Sequence, residues 1–239
     1  MRHLPKTDTA PPDLAEFREA QELLGYNMTY DCFSRAGQFC EFLVAEQFGL
    51  CGYTGVALDD RLMAVRKQTP AILKPHIEHL KSQRQCREEL TARGLAPGTA
   101  WGEDMDHRNM IAALEVSLLS DRGHLAHSGV FGAAARRDAV LPVWPTHPDC
   151  EPRFSYDTDG NVRGLDAQAQ RTCELLNLNH PTLKAWRQAA LDGYFSPDDE
   201  LTRAELTTLI AKFNVPEQGQ LPEFSFVLKS VAESLLLPP

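Results

Sequence analysis

The stretch that most narrows what this chain can fold into is TPAILKPHIEHLKSQ, residues 69–83. From Pro70 to His79, β-branched and apolar residues lie between prolines over a length too short for a helix, which predicts a strand ending near His79. On a strand, successive side chains alternate faces, so His79 and Ile77 point one way while His76 and Glu78 point the other. Glu78 and His79 can then serve one site only at the strand end, where the backbone turns. The chain also turns basic here. Residues 61–93 hold eight Lys/Arg against three Glu, a local +5 in a chain of net charge −9, so the remainder carries −14. Such an island in an acidic protein suits a local phosphate site better than a general DNA-coating surface. The alternative is a solvated helix face after His79.

The rest of the chain reads as mostly helical. Pro11-Pro12-Asp13 begins a helix, with Asp13 and Glu16 in capping-box spacing. Phe33, Gly37, Cys40, Val44 and Phe48 recur every three or four residues and predict a second helix over 31–48, stopped by Gly49. LCGYTGV (50–56) predicts a tight hairpin. RGLAPGTAWGED (93–104) predicts a loop, after which MDHRNMIAALEVSLL returns to helical period. Residues 120–153 are irregular, and RFSYDTDGNV predicts a strand with a turn at Asp159-Gly160. Four helical segments follow: AQAQRTCELLNL, PTLKAWRQAAL, SPDDELTRAELTTLIAKF with its start marked by Ser196-Pro197-Asp198, and FSFVLKSVAESLLL.

At 239 residues and 43% hydrophobic, the chain is long enough to bury a substantial core. Its apolar runs are far shorter than a membrane span. The opening MRHLPKTDTAPPD lacks an apolar export region, and six scattered cysteines read as reduced thiols, so a cytoplasmic protein with no membrane partner is expected.

A carboxylate next to a histidine at a strand end suits metal-dependent phosphodiester hydrolysis. A hard cation seeks carboxylate or amide oxygen, and a neutral imidazole beside it can take a proton from water. Asn109, placed near the start of the helix expected there, can orient a histidine or complete the metal shell. With Glu78, His79 and Asn109 in this order, the chain resembles the HNH (ββα-metal) nucleases. It is most similar to the branch found as the HNH subunit of Septu-type and retron-associated anti-phage systems, which works beside an ABC-type ATPase. The stretches carrying the resemblance are VAEQFGLCGYTG, HIEHLKSQ, EDMDHRNMIAA, LPVWPTHPDCEPRFSYDTDGNV and AQRTCELLNLNHPTLKAWR, spread over roughly residues 43–190.

The resemblance implies an α+β, predominantly helical fold: a small ββα-metal HNH core flanked by N-terminal and C-terminal helices. The corresponding divisions are an N-terminal helical segment (1–48), the nuclease core (49–140) and a C-terminal helical region (141–239). It implies His79 as general base, Glu78 as a metal ligand or its support, and Asn109 as the central Asn, all three at a divalent metal, Mg²⁺ or Mn²⁺. Lys74, Lys81, Arg84 and Arg108 are the expected nucleic-acid contacts. The implied partners are an ABC-type ATPase subunit, a DNA or RNA substrate and, in a retron-linked system, a reverse transcriptase with its nucleic acid.

Two departures bear on activity. Relatives carry C-x-x-C zinc knuckles, whereas this chain reads Cys51-Gly-Tyr-Thr54 and then HLAHSGVFGAAARRD, without the second cysteine set or its following lysine. Structural zinc is therefore not expected. Phe131 or Tyr53 would fill the volume, and Cys51 with His124 and His127 is the alternative metal set. These losses favour a second reading, a catalytically degenerate HNH scaffold that docks on or regulates the ATPase. A sequence-specific DNA-binding factor is a third, but no helix-turn-helix pattern stands out.

Overall fold

The computed structural model describes residues 1–25, 28–58, 71–96, 98–118, 130–195 and 201–236. Among these the protein is α+β, about half helical, with two small antiparallel sheets. Strand β1 (Ala71–His79) pairs along its whole length with β2 (Met110–Leu118), with His79 opposite Met110 and Glu78 opposite Ile111. The strand expected to end at His79 does so. The helix expected from residue 105 does not form; short 3-10 turns end at Asn109 and Met110–Leu118 is β2, so Asn109 leads a strand. Met110, Ile111, Ala112, Ala113 and Leu114 are all buried. A strand covered on both faces is apolar without alternation, and such a run carries no period that separates it from a buried helix.

Helix α1 (Pro12–Leu24) ends at Gly25, whose φ of +71° suits a residue lacking Cβ. Its capping box is absent: Asp13 and Glu16 both accept from the Arg35 guanidinium, at 3.0 and 2.8 Å. Helix α2 (Ala36–Glu46) lies against both strands and buries Phe39 and Leu43. The expected hairpin at 50–56 is a tight turn closed by an antiparallel bridge between Leu50 and Ala57. This segment protects the sheet edge. The Gln47 amide donates to the Ala112 carbonyl and accepts from its N–H, at 2.8 and 2.7 Å, and Leu114 N–H reaches Cys51 Sγ at 3.2 Å. One side chain thus does the work of a neighbouring strand, leaving no buried backbone group of Ala112 unpaired.

Between the paired strands lies α3 (Gln83–Ala92), opened by a capping box in which Ser82 and Gln85 exchange bonds. After β2 comes α4 (Ala133–Arg136), a single turn. The strand–helix–strand order does not establish a ββα core, and residues 119–129, including His124 and His127, lie outside the described ones.

The C-terminal region follows the sequence more closely. Strand β3 (Phe154–Tyr156) and the turn at Gly160, with φ +73°, are as expected, and β4 (Val162–Gly164) pairs with β3 to complete a hairpin. Helices α5 (Ala167–Leu175), α6 (Pro181–Asp192), α7 (Arg203–Asn214) and α8 (Ser225–Leu236) follow. Helix α7 starts at a Thr202–Glu205 capping box, while Ser196-Pro197-Asp198 lie outside the described residues. Phe131 and Tyr53 are buried in the core. Among the described residues, no helix is long and apolar enough to cross a membrane.

Candidate active site

His79 sits on the last residue of β1, where the backbone leaves the sheet toward the Ser82 cap. The residue is 7% exposed, and ring Nε2 lies 2.9 Å from the Asp104 carbonyl oxygen. A carbonyl only accepts, so Nε2 carries the proton and donates. Nδ1 is left with its lone pair and has no hydrogen-bond partner among the described residues. The Tyr30 ring packs T-shaped with the imidazole at 4.5 Å between centroids, and the Tyr30 N–H donates to Asp104 Oδ2 at 3.2 Å. Burial lowers the His79 pKa below its usual 6.5, outweighing the opposing Asp104 hydrogen bond. The ring is therefore a neutral base at pH 7.

Asn109 closes the loop next to it. Its Oδ1 accepts from Lys81 N–H at 2.7 Å, and its Nδ2 donates to the carbonyls of Lys81 and Glu103, both at 3.0 Å. His79 and Asn109 thus grip consecutive carbonyls, those of Asp104 and Glu103. Asp106 caps the next turn by accepting from Arg108 N–H at 2.9 Å. The neighbouring His107 is buried, its Nε2 3.5 Å from Thr7 Oγ1.

Glu78 is not part of this arrangement. As strand alternation requires, its carboxylate lies with His76 on the opposite face, Oε2 3.4 Å from His76 Nε2. Oε1 accepts from Arg136 and, at 3.4 Å, from the Tyr53 hydroxyl. Arg136 is the residue that sequence reasoning missed. Within AAARRD, nothing distinguishes it from its exposed neighbour Arg137.

The three residues do not fit a shared cation site. The Asn109 amide is engaged at both ends, and the Glu78 carboxylate faces a buried guanidinium on the opposite side of the strand from the His79 ring. Among the described residues, no group of three His, Cys, Asp or Glu could hold a metal ion.

The four expected nucleic-acid cations each face carboxylates. Lys74 pairs with Glu115 at 3.1 Å, and Lys81 pairs with Glu89 and, at 3.2 Å, with Glu103. Arg84 lies 3.6 Å from Asp138 and 3.9 Å from Glu88, and Arg108 lies 2.6 Å from Asp106. Arg84 and Arg108 remain more than half exposed. Ion pairs that exposed are worth at most about 1 kcal/mol and yield readily to a phosphate.

No protein-family model matches the chain. Over an 86-residue alignment it is 33% identical to the "Retron Vc95 putative HNH endonuclease" of Vibrio cholerae serotype O1 biovar El Tor. That match covers 32% of this chain and 42% of the Vibrio protein, which places the chain's similarity with a retron HNH protein over part of each sequence.

Proposed function

We propose that this chain is a nuclease subunit of an anti-phage defence system, cleaving phosphodiester bonds with His79 as general base and acting with an ABC-type ATPase. The observation that carries the reading is the place of the His79 imidazole, buried at a strand end with one nitrogen fixed by a backbone carbonyl and the other without a partner among the described residues. The likeness to a retron HNH protein supports the defence setting, in which a reverse transcriptase and its nucleic acid are further partners.

In the proposed step, Nδ1 removes a proton from water as its oxygen attacks phosphorus. The P–O bond to the leaving oxygen breaks, and that oxygen takes a proton from solvent. The imidazolium so formed is stabilised through Nε2–H by the Asp104 carbonyl. Asn109 keeps the carbonyl-bearing loop in place. His79 is only 7% exposed, so substrate entry requires its surroundings to open. Because the expected ligands do not share a site, no step here runs through a cation. Lys74, Lys81, Arg84 and Arg108 would meet phosphates by exchanging their carboxylate partners.

The second reading, a docking scaffold for the ATPase, is favoured by the 7% exposure of His79 and by the tied state of the four cations. One experiment separates the two. Cleavage of DNA and of RNA is measured with the ATPase present, for wild type and His79→Ala, with and without Mg²⁺. Loss of about 10²–10⁴-fold in the variant, with folding and assembly intact, is the nuclease outcome. Equal rates in both proteins, or a wild type that assembles and never cuts, is the scaffold outcome.

A further inference from the structure

Arg136 is the most heavily engaged side chain near the candidate site. Only 1% of its side chain is exposed. Its Nε donates to the Ala139 carbonyl at 2.8 Å, and Nη1 reaches the Tyr53 hydroxyl at 3.0 Å and the Glu78 carboxylate. Nη1 also donates to the His79 carbonyl at 2.7 Å, and Nη2 donates to the Leu80 carbonyl. The two strand-end carbonyls, those of His79 and Leu80, therefore hang on one guanidinium.

The geometry points to Arg136 as the positioning residue for His79, with Glu78 acting as its counter-ion and not as a cation ligand. His79 is held twice: by its ring, from the Asp104 carbonyl, and by its backbone, from Arg136. A planar fork with five donors is needed to hold a carboxylate, a hydroxyl and successive carbonyls at once; the point charge of a lysine cannot do this. Glu78 supplies the negative charge that makes a guanidinium tolerable at this depth. Its importance to activity then passes through Arg136 to the backbone of the residue beside it. This rests on the reading of His79 as the base.

The test is a cycle of four full-length proteins: wild type, Glu78→Gln, Arg136→Met and the double variant. Three readouts are taken: thermal midpoint, the Nε2–H signal of His79 in protein labelled with ¹⁵N-histidine, and cleavage with the ATPase partner. Each single variant strands a buried charge, so each midpoint should fall by about 10 °C. The double variant should fall no further than the worse single, because the two losses describe one pair. The His79 signal should move in Arg136→Met, and cleavage should drop about 10²-fold, the order of loss that follows a small misplacement of a reacting group. If Arg136→Met does not fold, Arg136→Lys replaces it; its single ammonium cannot serve all the acceptors, so the His79 signal should still move.

Additive midpoints, or an unmoved His79 signal, would overturn the inference. So would a Glu78→Gln protein whose midpoint and His79 signal match wild type but which loses Mg²⁺-dependent cleavage, since that is a ligand's behaviour. A wild type that never cuts ends the nuclease reading alone, because the midpoints and the His79 signal still decide whether Arg136 fixes the strand end.

Discussion

Among the described residues two arginines are buried, one packed against the β1–β2 sheet and one in the C-terminal helical region, and they are buried differently. Arg136, beside β1, holds the carbonyls of His79 and Leu80 and has the Glu78 carboxylate as counter-charge. Arg187, on α6, holds the carbonyls of Gly160 and Leu178 at 2.9 and 2.7 Å and lies 5.8 Å from the Tyr156 ring centre. It has no carboxylate partner among the described residues, and its Nε lacks a hydrogen-bond partner. Burial accordingly lowers its pKa. Both guanidiniums tie a strand end or turn to a neighbouring element. The difference lies in what their removal leaves behind: an orphaned carboxylate in the first case, and only two carbonyls in the second. A buried ion pair is fragile toward loss of one member, whereas an unpaired cation is already costly and easier to replace.

The largest expected effect follows from that contrast. Arg136→Met should destabilise by about 3–5 kcal/mol because Glu78 loses its partner. Arg187→Met should cost about 1–2 kcal/mol, since two freed carbonyls are partly offset by relief of an unpaired charge. Urea unfolding of the two variants checks the order; an equal or larger loss for Arg187→Met would break the comparison.

Asn109→Ala comes next. It removes the acceptor of Lys81 N–H and the donor to two carbonyls at a site 6% exposed, so a loss of about 2 kcal/mol is expected in the same measurement. Cleavage should fall with it, because the Glu103–Asp104 loop that fixes the His79 ring is no longer anchored.

A pH series sharpens the picture at smaller scale. The folded His79 pKa is lowered, so below pH 6.5 the unfolded chain binds the proton more readily than the folded one. The stabilising contribution is full above 6.5 and is lost as pH falls through the lower folded value, by no more than about 1.4 kcal/mol per pH unit. His107, also lowered by burial, acts in the same direction. In His79→Ala, the loss of stability between pH 7 and pH 5 should therefore be shallower than in wild type, but not abolished. Smallest of all, Arg84→Ala or Arg108→Ala should change stability by less than about 0.5 kcal/mol, their side chains being more than half exposed. If either meets a phosphate, the slope of log affinity against log salt should become shallower by about one.

The sequence by itself determined the strand ending at His79, because a short β-branched segment between prolines has few alternatives. It determined the α5, α6 and α8 segments and the body of α7, though not its start, through their helical period, and the strand and turn of 153–162 through Asp159-Gly160. It also determined that Glu78 and His79 face opposite sides, since strand alternation is a local rule. What only the tertiary structure decided was everything set by partners distant in the chain. MIAALEVSL (110–118) is a strand whose residues 110–114 are covered on both faces, and that apolar run looks the same in a buried helix. Asp13 and Glu16 turn from a cap to Arg35, which lies about twenty residues away. Glu78 meets Arg136 from across 58 positions. Nothing local could announce that last contact: an arginine's partner is fixed by which carboxylate and carbonyls the fold leaves within reach of a buried guanidinium.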